Sequence, residues 1–275
     1  MARVLAVSSM VVRGHVGNAA AVPVLQCLGH EVWSLPTVVL SNHPGHRRAA
    51  GVQMDAGKLD DMIEALGESG WLDELDAVLT GYLPSAAHVL LAARLVRRLK
   101  ASSPRLLYLC DPALGDDPKG VYVAAEAAAA IRDELIGLAD ITTPNRFELA
   151  WLAGVAVADV PGAIAAAAAL GCAEVLVTSV PDLRTARLVN VLATPDRQRS
   201  CPVPAHPSVP HGTGDMLAAL YLGHRLAGRG IEAALGRTVA GVRAVVEASV
   251  GRDELALVAA LGALADMAPD AVDGE

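Results

Sequence analysis

His211-Gly212-Thr213-Gly214-Asp215 runs directly into Met216-Leu217-Ala218-Ala219-Leu220-Tyr221-Leu222, and the reading of this stretch decides the fold. Two glycines permit a tight bend, and the alanine- and leucine-rich run after it predicts a helix. The first N–H groups of such a helix lack intrahelical partners and carry the positive end of its dipole. Gly212, Thr213 and Gly214 therefore offer a cradle for developing negative charge. Asp215, just inside the helix start, is placed to accept a proton from a substrate hydroxyl. A capping carboxylate at an ordinary helix start would use the same residue types, so the rest of the chain must decide between the two.

Working outward, short apolar runs suited to strands buried on both faces recur: Arg3–Val7, Glu31–Leu35, Asp76–Tyr82, Leu106–Cys110 and Glu174–Ser179. Helical stretches separate them, among them Ala19–Leu28 with Asn18 as its expected N-cap, and the almost pure alanine run Pro161–Leu170. Arg187–Thr194 and Ser200–Val203 read as a hairpin that leads through Pro207-Ser208-Val209-Pro210 to the glycine turn. This alternation predicts an α/β fold with a mainly parallel central sheet and helices on both faces. No linker composition interrupts it, so one domain is expected over residues 1–268. The acidic, apolar-poor residues 269–275 are expected to form a disordered tail.

Composition narrows the function. A chain of 275 residues with 53% hydrophobic content can bury a large core. Its net charge of −8 leaves no basic footprint for nucleic acid or anionic lipid, so a phosphate-bearing ligand must be held locally. Cys27, Cys110, Cys172 and Cys201 form no paired motif and read as reduced thiols. Neither a signal segment nor a membrane span is apparent, and a soluble cytoplasmic protein is expected.

Polar groups close the apolar strands: Ser9, Tyr82, Asp111, Thr178 with Ser179, and the turn before Asp215. Ligands of open α/β sheets bind at such carboxyl ends. Asn145 and Glu148 have the spacing of a capping box, while Glu148 with Asp111 also suits a hydrated Mg²⁺ that takes its other ligands from phosphates. These are the parts that phosphoryl transfer needs. A Walker loop and a dinucleotide fingerprint are both missing, and His15 and His43 read as loop hydrogen-bonding groups.

The chain resembles the pyridoxal kinases of the ribokinase-like superfamily up to its acidic tail. The resemblance is carried by Gly14-His15-Val16-Gly17-Asn18, Ser41-Asn42-His43, Gly81-Tyr82-Leu83, Asp111-Pro112, Lys119-Gly120, Thr143-Pro144-Asn145 with Glu148, and Gly212-Thr213-Gly214-Asp215. It implies a ribokinase-like fold and an ATP-dependent kinase for the 5′-hydroxymethyl group of pyridoxal. Asp215 would be the base, with the Gly212–Gly214 backbone as anion hole. Ser9, His43, Pro44, Gly45 and Tyr82 would line the vitamer site. Asp111, Thr143, Asn145, Glu148 and Thr178 would serve ATP, Asp111 and Glu148 also its metal, and Ser208, Val209, Pro210 and His211 would border the nucleotide. A homodimer using MgATP, aided by K⁺, is implied as well. The chain departs from the family pattern at Met10, Arg13 and His46, where pocket aromatics are usual, and this puts the substrate more in question than the reaction. A kinase for hydroxymethylpyrimidine and a non-catalytic vitamer-binding protein remain alternatives.

Overall fold

The structure is a computed structural model that describes residues 1–185, 187–206 and 208–274. In chain order its elements are β1 (Arg3–Val11), α1 (Asn18–Cys27), β2 (Glu31–Leu40), β3 (Gly51–Gln53), α2 (Ala56–Glu68), β4 (Ala77–Thr80), α3 (Ala86–Ser102), β5 (Leu107–Cys110), β6 (Gly115–Asp116), β7 (Gly120–Val121) and α4 (Ala125–Ala130). There follow β8 (Ile141–Thr142), α5 (Arg146–Ala153), α6 (Val160–Ala169), β9 (Glu174–Asp182), β10 (Arg187–Ala193), β11 (Gln198–Val203), α7 (Thr213–Leu226), α8 (Ile231–Ala248) and α9 (Leu257–Leu264). Among the described residues, nine strands form one sheet in the order β11-β10-β9-β8-β5-β4-β1-β2-β3. The six from β9 to β2 are parallel, while β3, β10 and β11 join antiparallel at the edges. The mainly parallel α/β fold expected from the sequence is present.

Side chains on successive strand residues point to opposite faces, and the core divides accordingly. Leu5, Val7, Tyr108, Val175 and Val177 pack on the side of α2 to α6. Val4, Leu109 and Leu176 pack on the side of α1, α7, α8 and α9. α7 is buried continuously from Met216 to His224, which explains why its sequence is apolar all round rather than amphipathic. From β1 the chain pairs β2 on one side and then crosses to β4 on the other. The resulting switch point opens a crevice beyond the carboxyl ends of β1 and β4.

Two local expectations are corrected. β1 continues to Val11, so Ser8, Ser9 and Met10 are strand residues, and a register shift against β2 falls between Ser8 and Met10. Asn18 is the first helical residue and not the N-cap, which is Gly17 at φ 56°. The Asn18 amide is buried and donates to Ala6 O (3.1 Å) and Ser34 Oγ (3.0 Å), tying α1 to β1 and β2. Residues 270, 271 and 273 of the acidic tail bond the rest of the chain. Asp270 accepts two bonds from Arg243 (2.8 and 2.9 Å), and Asp273 exchanges backbone bonds with Ser200 on β11. An open sheet edge and a facing guanidinium hold a segment whose low apolar content suggested no anchor. Among the described residues, no helix is long and apolar enough to cross a membrane.

Candidate active site

The crevice is framed first by strand ends. Ser8 Oγ accepts from Tyr82 N–H (3.0 Å), and Thr37 Oγ1 donates to Tyr82 O (2.8 Å), so β1, β2 and the end of β4 are tied together. Ser9 lies at the register shift of β1, where a Cβ on Gly17 would overlap it. Only glycine permits both that approach and the positive φ. The Tyr82 ring faces Tyr122 at 6.4 Å between centroids.

The glycine turn closes on this frame from α7. Gly212 has φ 104° and forms the helix N-cap, and a Cβ there would overlap His15 O. The turn is thereby pressed onto the first loop. The first bond of this helix start runs from Met216 N–H to Gly212 O, so the preceding N–H groups lack intrahelical partners. Asp215 stands behind them; a Cβ on Gly81 would lie 3.9 Å from its Oδ1, which places the carboxylate at the end of β4. Burial pushes the Asp215 carboxyl up to about 6, partly opposed by bonds from the N–H groups of Gly17 and Asp215.

A cluster of carboxylates completes the other side. Asp111, buried after β5, accepts from Thr143 Oγ1 (2.9 Å). Its carboxyl is held well above the carboxylate range by burial, then by the charges of Glu148 and Asp215. Glu148 closes the capping box of α5: its Oε2 accepts from Asn145 N–H (2.9 Å) and Asn145 Oδ1 accepts from Glu148 N–H (2.9 Å). Its Oε1 takes the N–H of Leu114 (2.8 Å) and, more weakly, that of Gly115 (3.4 Å). Burial raises this carboxyl to about 7 despite those three bonds. The capping-box reading of Glu148 is thus present in the structure. Burial and the charges of Glu148, Asp111, Asp215 and Asp116 also push the Tyr122 phenol up.

Such uncompensated, desolvated negative charge suits a bound cation. Among the described residues, no three or more His, Cys, Asp and Glu side chains group closely enough to hold a metal alone. Both Glu148 oxygens are already engaged, whereas Asp111 accepts its Thr143 bond on one oxygen. The donor set fits a divalent ion that draws most of its ligands from phosphates and water.

Thr178 N–H donates to Pro144 O (3.0 Å), and Thr178 pairs with Asn145 as an isolated bridge. Next to them lies a cavity of about 360 Å³ lined by Asp116, Asn145, Phe147, Ser179 and Leu188 among others. Ser208 and Val209 are exposed ahead of the glycine turn, and Pro207 lies outside the described residues. On the opposite side, the loop after β2 covers the turn. His43 stacks on His211 at 3.8 Å and accepts from Gly45 N–H (3.0 Å). Burial, then His211 and Lys119, lower the His43 imidazole to about 4.

Arg13 and His46, at positions where the family pattern has aromatics, both bond the turn before α9: Arg13 to Asp253 (2.7 Å) and Glu254 (3.0 Å), His46 to Glu254 (2.9 Å). Sequence reading missed Tyr122, which follows Lys119-Gly120 in a segment read only as a short strand or lid. It also missed Glu254, which no motif marks.

Comparison with known proteins gives the family of the chain. Residues 28–256 match the family model described as phosphomethylpyrimidine kinase. Pyridoxal kinase PdxY of Rubrobacter xylanophilus is 41% identical over 267 residues, covering 94% of this chain and 91% of that protein. This chain belongs to the pyridoxal kinase family. The pyridoxal kinase PdxY of Deinococcus radiodurans is 37% identical over 94% of this chain and 91% of its own length. Among solved structures, Leishmania donovani pyridoxal kinase with ADP and pyridoxine superposes with a TM-score of 0.93 at 29% identity, covering 99% of both chains. Entamoeba histolytica pyridoxal kinase gives 0.93 at 26% identity over 100% of both. The fold is thus the ribokinase-like one of this family.

Proposed function

We propose that the chain transfers the terminal phosphoryl group of ATP to the 5′-hydroxyl of pyridoxal, giving pyridoxal 5′-phosphate and ADP. The hydroxyl oxygen bonds to the terminal phosphorus as its bond to the bridging oxygen breaks, and ADP leaves. Asp215 takes the hydroxyl proton, and the N–H groups of the Gly212–Gly214 turn receive the charge on the transferred group. The observation that carries this reading is the position of Asp215 behind that turn and at the sheet's switch point, with its carboxyl raised to about 6. At neutral pH such a group is mostly ionised yet basic enough to accept a proton.

Ser9, His43, Pro44, Gly45 and Tyr82 would hold the vitamer. Thr143, Asn145, Thr178 and the 208–211 stretch would hold the nucleotide. Mg²⁺, when bound, would neutralise phosphate charge, and Asp111 and Glu148 would be the residues that hold it. The same reading carries K⁺ as an auxiliary cation, a homodimer and a cytoplasmic location.

Phosphorylation of hydroxymethylpyrimidine is the second reading, because the family model over residues 28–256 bears that description. Steady-state kinetics with MgATP and pyridoxal, pyridoxine, pyridoxamine or hydroxymethylpyrimidine separate the two. A higher kcat/KM for the pyridine vitamers is expected, and a preference for the pyrimidine would replace the first reading with the second.

A further inference from the structure

The loop after β2 carries a polar clasp. Its neck is closed by Ser41 N–H to Ala50 O (2.7 Å) and by the Asn42 amide, which donates to His43 O (3.1 Å) and Arg48 O (2.9 Å). Its tip is tied outward twice, by the stack of His43 on His211 and by His46 Nε2–H donating to Glu254 Oε1. The same oxygen accepts from Arg13, which comes from the end of β1 and whose N–H donates to Ser41 O (2.9 Å). Glu254 is the least exposed member, with 16% of its side chain accessible against 31% for His46 and 59% for Arg13.

The carboxylate is also held from behind. A Cβ on Gly14 would overlap it, so the first loop lies directly against Glu254. The next residue, Leu255, is buried 3.2 Å from where a Cβ on Gly212 would stand. Ala256 N–H donates to Ser249 Oγ (2.9 Å), which anchors this turn to the end of α8. One turn thus touches the glycine turn through Leu255 and the 41–50 loop through Glu254.

We propose that Glu254 is a positioning residue for vitamer binding: with Arg13 and His46 it latches the 41–50 loop shut over the substrate site in register with the Gly212–Gly214 turn. This rests on the reading of the site as a vitamer kinase. Opening the loop for substrate entry must break the His46–Glu254 contact and the histidine stack together. Apparent affinity scales with the fraction of molecules whose loop is closed, so loss of the latch raises KM for the vitamer. The loop meets the nucleotide stretch at His211, whereas Thr143, Asn145 and Thr178 bond elsewhere, so ATP binding depends on the latch less than vitamer binding does.

Glu254→Gln keeps the size of the side chain and removes its charge; His46→Ala cuts the latch from the loop side, where no core packing is at stake. Each is expected to raise KM for pyridoxal roughly 3- to 10-fold, with smaller changes in kcat and in KM for ATP. The double variant should be no worse than the weaker single one. Trypsin provides a readout independent of turnover, because Arg47 and Arg48 are exposed on the loop itself. Cleavage there, followed by mass spectrometry without substrates, should be faster in both variants than in the parent. Wild-type cleavage rates with unchanged KM for pyridoxal would overturn the proposal, as would additive effects in the double variant. Equal losses in kcat and both KM values, with a lowered Tm, would likewise overturn it by marking a structural role. Failure of the parent to phosphorylate pyridoxal would count against the functional reading, while the cleavage comparison would still judge the latch.

Discussion

Asp215→Asn separates what this carboxylate does in the reaction from what it does to the fold. The folded-state carboxyl lies at about 6 against an ordinary value of 3.8, because burial disfavours its charge. Above pH 6 the group is ionised in both folded and unfolded chains, and the folded state bears a penalty of up to about 3 kcal/mol. As pH falls from 6 toward 3.8 the folded state binds the proton first and the penalty shrinks; below 3.8 it is gone. Asparagine never bears the charge, but one of its two side-chain acceptors becomes a donor beside the N–H groups of Gly17 and residue 215. The net gain at pH 8 should therefore be about 1–2 kcal/mol, a Tm rise of roughly 2–6 °C. Loss of the base should lower kcat by about 10²- to 10⁴-fold, with ATP binding retained. Thermal denaturation at pH 8 and pH 4.5, alongside product formation at pH 8, reads both effects. A variant that is less stable at pH 8, or that turns over within tenfold of the parent, would refute the reasoning.

Gly212→Ala puts a side chain at φ 104° against His15 O; it should lose about 2–4 kcal/mol in denaturant unfolding and most of its kcat. Asp111→Asn should raise the Mg²⁺ concentration for half-maximal activity roughly tenfold or more in a metal titration. The Glu148 carboxyl lies at about 7, so Mg²⁺ activation of the parent should weaken as pH falls from 8 through 7 to 6, when that negative charge is lost. Asn18→Ala removes two donors from a buried site and leaves Ala6 O without this partner; urea unfolding should show a loss of about 1–3 kcal/mol.

Much of the fold was legible because a strand buried on both faces leaves a continuous apolar run, as at Leu107–Cys110 and in the first half of β9. The glycine turn, Asp111 and the Asn145–Glu148 box were legible because each combines a local backbone need with a charge. The apolar run marks β1 only to Val7, because the strand enters the polar crevice before it ends at Val11. Asn18 stood where a helix cap is usual, but Gly17 takes the cap when its backbone presses onto Ser9. The Arg13–Glu254 contact joins residues 241 positions apart, and no local spacing predicts such a pair. The bonds of the tail to Arg243 and to Ser200 on β11 are likewise not marked by its own composition.

Incubating the purified chain with MgATP and pyridoxal tests the central claim most directly, with the product followed by absorbance and by phosphorus NMR of the ester. The account predicts one pyridoxal 5′-phosphate formed for each ATP converted to ADP, the phosphate on the 5′ oxygen, and no comparable product from Asp215→Asn. ATP consumption without that ester, or its undiminished formation by Asp215→Asn, would contradict it.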